Sequence, residues 1–165
     1  MTEEIKIYDQ MIGKTFHTVK YIKSVNGQKT YTIVEKFYDD QVQDYAIYDN
    51  DVHSDVIIFE NDEESFIFYH DQSCCEYVHV DDIVGELALL ENTPILVAEE
   101  FQKYKSIMDD DSDYMESHET YTFYKFATVN GHVDVKWYGT SNGYYSESVD
   151  MYHTVKEGLY ATFDN

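Results

Sequence analysis

Short runs of alternating apolar and polar residues, each ended by a turn signal, dominate the chain. Residues 14–22 and 29–35 are rich in Thr, Val, Ile, Tyr and Phe and flank Asn26-Gly27. This dipeptide is typical of two-residue hairpin turns, because both turn positions require positive φ. The pattern therefore predicts a first antiparallel hairpin, in which Ile22 faces Tyr31.

Two further hairpins are predicted by the same pattern. Residues 56–60 and 65–70 flank the acidic turn 61–64, and residues 119–129 and 132–138 flank Asn130-Gly131.

A turn at 130–131 would place Phe126 opposite Val135 and Tyr124 opposite Trp137. One face of that hairpin is then apolar and the other is mixed, as in a sheet with one buried side.

One segment has helical rather than strand-like spacing. Ile83, Val84, Leu87 and Leu90 follow Asp81-Asp82, and aspartate at a helix start caps free amide groups and suits the helix dipole. The predicted fold class is therefore α+β: mainly antiparallel sheet built from hairpins, with one principal helix. No linker or internal repeat divides the chain, so residues 1–165 are predicted to form one domain.

The charge distribution changes this picture, because the imbalance lies in one region. The chain has 33 acidic residues, 11 lysines and no arginine. Residues 37–119 hold 24 of the acids and two of the lysines, a net charge of −22, whereas the segments on either side nearly balance. Since 16% of the chain is aromatic, this is not the composition of a disordered acidic tail. The acids are expected on turns and exposed faces of a folded protein.

Two interpretations of the acidic region compete. Carboxylates on a surface keep a protein soluble. A dense negative surface on a folded scaffold also resembles the phosphate pattern of a nucleic acid, which carries about one charge per 1.7 Å of duplex. The residues predicted to contact a partner are the exposed turn acids Asp62, Glu63, Glu64, Asp109, Asp110, Asp111 and Asp113.

Several functions are disfavoured by composition. Direct binding of nucleic acid depends on Lys and Arg, which are scarce here. No apolar stretch is long enough for a membrane span, and the first ten residues lack the layout of a signal peptide, so no membrane association and a cytoplasmic location are expected. No phosphate-binding loop or nucleophile elbow is present, and no catalytic residue, metal ligand or cofactor is predicted.

The alternative to a binding protein is a small enzyme or a metal- or ligand-binding protein centred on His70, Cys74 and Cys75, with the Ser141–Tyr145 loop nearby. Thiolate and imidazole are zinc ligands, but adjacent cysteines seldom direct both sulfurs at one ion. Adjacent cysteines also rarely bridge each other, so no disulfide is expected and a reducing compartment fits. A structural role, with charge serving only solubility, is the third possibility.

Two groups of motifs resemble a known family. The strings Tyr-His-Asp-Gln-Ser-Cys-Cys-Glu at 69–76 and Ser-Asn-Gly-Tyr-Tyr-Ser-Glu-Ser-Val at 141–149 are similar to those of small tailed-phage proteins with an uncharacterised domain, over roughly residues 55–152. The resemblance implies a phage origin and brings no known activity. Together with the charge, it leads us to expect a non-enzymatic inhibitor in the host cytoplasm. Its expected partner is a host nucleic-acid-binding defence protein or nuclease, bound through a DNA-mimic-like acidic surface.

Overall fold

The computed structural model of the protein describes residues 5–108 and 116–156, and this part of the chain is nearly all antiparallel β-sheet. Its regular elements include two short 3₁₀ helices, Ile7–Met11 and Leu87–Leu90. The strands are β1 (Thr18–Ile22), β2 (Tyr31–Asp39), β3 (Asp44–Val52), β4 (Val56–Glu60), β5 (Glu64–Tyr69), β6 (Tyr77–Val84), β7 (Val97–Met108), β8 (Glu116–Thr128), β9 (Gly131–Ser141) and β10 (Asp150–Val155).

The core lies between two four-stranded sheets, which have the strand orders β1-β4-β5-β10 and β6-β9-β8-β7. Aromatic side chains join them: the ring centroids of Phe59 and Phe126 are 4.8 Å apart, and those of Phe68 and Tyr124 are 4.9 Å apart. Burial of several large rings at one interface is the main driving force for such a two-layer arrangement.

The third sheet is the two-stranded hairpin β2-β3. Its base packs on the rest of the protein, where Ile33 and Val52 join Val56, Ile58 and Ile67 in a second apolar cluster. Ile58 and Phe59 are neighbours on β4, and successive side chains of a strand point to opposite faces. The first sheet is therefore covered on one face by the main core and on the other by the hairpin's base.

The predicted principal helix is wrong, and the fold is not α+β. Ile83 and Val84 belong to β6 and pair with Val135 and Asp134 of β9. Gly85 then adopts a φ of +99°, and a Cβ there would lie 2.8 Å from the carbonyl oxygen of His132. Because β-branched residues favour strands and a left-handed residue interrupts a helix, only the short 3₁₀ turn Leu87–Leu90 forms.

The first predicted hairpin is also wrong. Asn26 and Gly27 do have positive φ values of 54° and 71°, but β1 pairs with β4 and β2 pairs with β3. The backbone N–H of Ser24 donates to the carboxylate of Asp55 at 2.7 Å, which fixes the chain after β1 to the segment before β4. The turn therefore passes the chain from one sheet to another.

The other two hairpins are confirmed, with one difference in register. β4 and β5 pair as predicted around the turn after Glu60. In the β8–β9 hairpin, Phe126 lies opposite Val133 and Tyr124 opposite Val135, so the pairing is displaced by two residues. Because the side-chain period of a strand is two, this displacement keeps the predicted apolar face toward the core.

No helix in residues 5–108 or 116–156 is long and apolar enough to cross a membrane.

Candidate interaction surface

The β2–β3 hairpin projects from the sandwich beyond its buried base. We call residues 34–50 the arm, and none of its described side chains is buried. From Val34 to Asp39 the first strand of the arm extends by about 17 Å, at about 3.3 Å per residue. An extended two-stranded element with both faces in solvent is poorly stabilised on its own, so contact with a partner would stabilise the arm.

The arm is strongly acidic. Residues 34–50 contain five acids and one lysine, a net charge of −4. Three of the acids, Asp39, Asp40 and Asp44, lie at or next to the tip. There Asp39 accepts a hydrogen bond from the backbone N–H of Gln41 at 2.9 Å, which closes the turn.

Large apolar side chains are exposed between these carboxylates. Ile47 is 68% exposed and Tyr48 is 57% exposed. Tyr38 and Tyr45 face each other across the two strands, with ring centroids 5.5 Å apart in an edge-to-face arrangement. Exposed tyrosines are enriched where proteins bind partners, because a rigid ring buries area at little entropic cost.

The number of charges on the arm is close to that on an equal length of one nucleic-acid strand. A single strand of duplex DNA carries one phosphate per roughly 3.4 Å of axis, hence about five over 17 Å. The arm carries five carboxylates in a similar length, with aromatic rings between them. The arm therefore combines several carboxylates with exposed rings over this length.

The predicted contact residues Asp62 and Glu63 lie on the β4–β5 turn. Both are exposed, and Asp62 is 3.4 Å from the imidazole of His17. The turn is held by Asn61, whose side-chain oxygen accepts the backbone N–H of Glu63 at 2.9 Å. These two acids are therefore available to a partner, in a different sheet from the arm.

Glu64, predicted with them, faces inward. It is 7% exposed, and its carboxylate binds the ammonium of Lys14 at 2.5 Å and the imidazole of His153 at 2.7 Å. Burial alone would raise the pKa of Glu64, but the hydrogen bonds from Lys14 and His153 outweigh burial and lower it. Glu64 thus stabilises the fold and offers little surface to a partner. The other predicted residues, Asp109, Asp110, Asp111 and Asp113, lie outside the described residues.

Asp55 is a second acid of the middle region that serves the fold. It is 4% exposed, and its carboxylate accepts hydrogen bonds from the backbone N–H of Ser24 and Val80 and from the hydroxyl of Tyr21. It thereby links β1, the start of β4 and β6. A single acid directly before the apolar run of β4 is the sequence signal that could have indicated this role.

The alternative site contains a hydrogen-bonded contact between His70 and Glu76, both with fully buried side chains. The Nε2 atom of His70 is 3.0 Å from the carboxylate, and its Nδ1 atom is 2.8 Å from the carbonyl oxygen of Ser148. Each ring nitrogen of His70 therefore faces a hydrogen-bond acceptor inside the protein. Neither nitrogen remains to act as a base or a metal ligand.

Glu76 also organises the loop that carries the cysteines. Its carboxylate accepts the backbone N–H groups of Ser73 at 2.6 Å and Cys74 at 3.1 Å. The sulfurs of Cys74 and Cys75 are bonded to each other, so the expectation of unpaired cysteines is wrong. The loop holds these two exposed, adjacent cysteines in one tight turn.

The hydroxyl of Ser141, at the start of the Ser141–Tyr145 loop, is hydrogen-bonded within the fold. Ser141 is 8% exposed, and its hydroxyl donates to the carboxylate of Glu147 rather than to a histidine. The backbone N–H of Gly143 donates to the same hydroxyl oxygen. Among residues 5–108 and 116–156, no group of three or more His, Cys, Asp or Glu side chains is placed to hold a metal ion.

The Glu76 contacts predict a specific dependence of stability on pH. Burial would raise the pKa of Glu76, but the backbone hydrogen bonds and His70 lower it from 4.5 to about 2. The unfolded chain therefore binds this proton at a higher pH than the native protein does. The stabilisation is fully present above pH 4.5 and is lost as the pH falls toward 2.

Urea unfolding between these two pH values is the measurement. The free energy of unfolding of the wild type should fall more steeply with acidification than that of a Glu76→Gln variant. Parallel curves for the two proteins would contradict the assignment of a charged Glu76.

Comparison with known families and structures adds one match. Residues 9–151 match the family described as a domain of unknown function (DUF7448). No curated protein and no solved structure matches the chain.

Proposed function

The chain belongs to the DUF7448 family, a domain of unknown function, and from the shape and charge of its arm we propose that it is a non-enzymatic inhibitor. In this proposal it is a phage protein that acts in the host cytoplasm. The arm enters the cationic channel of a host nucleic-acid-binding defence protein or nuclease and excludes nucleic acid from it.

The observation that carries the proposal is the projecting arm, with five carboxylates along a strand-like length and exposed rings between them. A groove lined by Lys and Arg that binds a single nucleic-acid strand uses ion pairs to phosphates and stacking on bases. The arm supplies a negative counterpart for the ion pairs and rings for the stacking. The exposed turn with Asp62 and Glu63 is proposed as a second point of contact.

Electrostatic attraction between an acidic arm and a basic channel accelerates association and weakens with added salt. The hydrophobic contacts of Ile47, Tyr45 and Tyr48 would be less sensitive to salt. The complex should therefore form quickly at low salt and persist partly at physiological salt.

Affinity capture tests the proposal with three matched double variants, each of which raises the net charge by four. The arm variant carries Asp40→Lys and Asp49→Lys, the turn variant carries Asp62→Lys and Glu63→Lys, and the control carries Asp71→Lys and Glu86→Lys. All six residues are exposed, so folding should be unaffected. Proteins retained from bacterial lysate at low and high salt are identified by mass spectrometry.

We expect the wild type and the control to retain the same nucleic-acid-binding protein at low salt. The arm variant should bind that protein at least about tenfold more weakly, because two ion pairs become repulsive. Labelled single-stranded DNA should compete with the wild type for it. Equal retention by the arm variant and the control, or simultaneous binding of DNA and the wild type, would show that the arm does not act as a nucleic-acid mimic.

A further inference from the structure

The sheet β6-β9-β8-β7 has an outer face that no described element covers. This face consists of the odd-numbered residues 99–105 of β7 and 119–125 of β8, the even-numbered residues 134–140 of β9, and Tyr77, His79, Asp82 and Val84 of β6. None of these side chains is buried. Sandwich sheets that turn one face to solvent normally fill it with small polar and charged residues, so the composition of this face requires an explanation.

A continuous strip of rings crosses the outer face over all four strands. Neighbouring ring centroids are between 4.5 and 6.4 Å apart. The strip consists of Phe101, Phe123, Tyr121, Tyr138, His79 and Tyr77. Phe101 is 66% exposed and Tyr77 is 60% exposed. An exposed apolar strip of this extent marks an interaction surface.

The charges around the strip are balanced and ordered, although the whole chain has a net charge of −22. On β7, Glu99 lies at one end of the face and Lys105 at the other. On β8 the order is reversed, because Glu99 pairs across the strands with Lys125 and Lys105 pairs with Glu119. A half-turn about an axis that crosses the strands exchanges the two ends of the face, so Glu99 and Glu119 then lie where lysines lay. Asp82 and Asp134, on β6 and β9, come to lie opposite His79 and Thr140.

We propose that a second copy of the chain packs on the outer face through this half-turn. In such a dimer Lys105 meets Glu99 of the second copy, and Glu119 meets Lys125 of the second copy. At the centre, Tyr121 meets Phe123 of the second copy. Twofold symmetry forms each pair twice, and the two sheets stack face to face as the layers of a sandwich do.

The shape of the outer face also fits this half-turn. A groove of about 740 Å³ extends from Glu99 and Val84, at one end of the outer face, to Tyr8 and Glu100 beyond it. The opposite end of the face carries the exposed ring of Tyr77. The half-turn places Tyr77 of each copy over Val84 of the other, next to this groove.

The area of the outer face and the net charge of the chain determine the expected affinity of the dimer. Four strands and four side-chain rows give about 500 Å² per copy, or about 1,000 Å² in total, at the lower limit of specific interfaces. A dissociation constant on the order of 100 μM is therefore expected. Because two chains of charge −22 repel each other at long range, association should strengthen from low to physiological salt as screening increases. Binding of the arm to a cationic partner has the opposite salt dependence.

Sedimentation equilibrium in about 0.15 M salt, from about 10 to about 500 μM protein, tests the dimer. Three variants are compared with the wild type: Glu99→Lys, Lys105→Glu, and the two substitutions together. Each single substitution opposes like charges across the interface, whereas the double substitution restores both pairs with reversed polarity. Both side chains are exposed, and circular dichroism checks that each variant is folded.

We expect the wild type to associate and each single variant to associate at least about tenfold more weakly. The double variant should recover to within about threefold of the wild type. Glu99→Lys is the more informative of the single variants. It lowers the net negative charge, so it would strengthen an association that is limited by general repulsion, whereas the proposed dimer predicts that it weakens association. A wild type that stays monomeric over the whole range, or a double variant that fails to recover, would overturn the proposal.

Discussion

Replacing Glu76 by glutamine is expected to lower the free energy of unfolding by about 3 kcal/mol. The buried carboxylate is 3.0 Å from the Nε2 atom of His70 and 2.6 Å from the backbone nitrogen of Ser73. Glutamine has the same shape, but its NH₂ group would point at one of these donors, which would then be buried without an acceptor, and the remaining hydrogen bonds would lose their charged acceptor. For a chain of this length the loss corresponds to a decrease in Tm of about 6–12 °C, which thermal and urea unfolding both measure.

Glu63→Gln is the matched control, since Glu63 is exposed on the β4–β5 turn. Its expected effect is within about 0.5 kcal/mol of zero. If both glutamine variants were equally stable, Glu76 could not be a buried, charged acceptor of these hydrogen bonds in the native protein. The comparison also separates the structural interpretation of the His70–Cys75 segment from a catalytic one, because it measures stability without any assumed substrate.

Local strand pairing was predictable from the sequence, and distant pairing was not. The β4–β5 hairpin joins residues close in the chain, so its turn and alternation contain enough information to place it. β1, in contrast, pairs with β4 across more than 30 residues. Asn26-Gly27 indicated a turn correctly, but a turn signal does not determine which strand accepts the hydrogen bonds of the chain that follows.

The error at residues 83–90 has a physical origin of the same kind. Apolar residues at helical spacing also occur when a strand passes into a tight turn. A helix and a strand followed by a turn can each place these residues on a buried surface. Gly85, with its positive φ and its close approach to His132, decides between them. Over such a short segment the tertiary contact outweighs the periodicity.

Acidic residues were the hardest to interpret from the sequence. Asp55, Glu64 and Glu76 belong to the acidic middle region, yet each is buried and accepts several hydrogen bonds. A count of charges cannot distinguish these from the exposed acids of the arm. The aromatic strip could not be predicted from the sequence either. Both faces of β8 carry aromatic residues, and only the strand register shows which rings lie on the outer face.

Phe59→Ala is expected to have the largest effect on stability, a loss of about 4 kcal/mol. Phe59 is fully buried, and its ring centroid lies 5.5 Å from that of Phe16, 5.9 Å from that of Phe68 and 4.8 Å from that of Phe126. The last contact crosses between the two sheets, so truncation leaves a cavity at the interface that holds them together. Urea unfolding should show a lower midpoint with an unchanged slope.

Phe101→Ala is the control for the same chemical change, because Phe101 is 66% exposed on the outer face. It should cost less than about 1 kcal/mol at concentrations where the protein is monomeric. Equal losses for the two variants would contradict a core centred between the sheets. The Phe59 variant should still present the arm, because the arm's base packs on Ile58 and Ile67, on the opposite face of β4 and β5. Loss of stability and loss of partner binding can therefore be separated. The Phe59 variant, while folded, should keep its affinity for a partner of the arm. The arm variant should lose that affinity at unchanged stability.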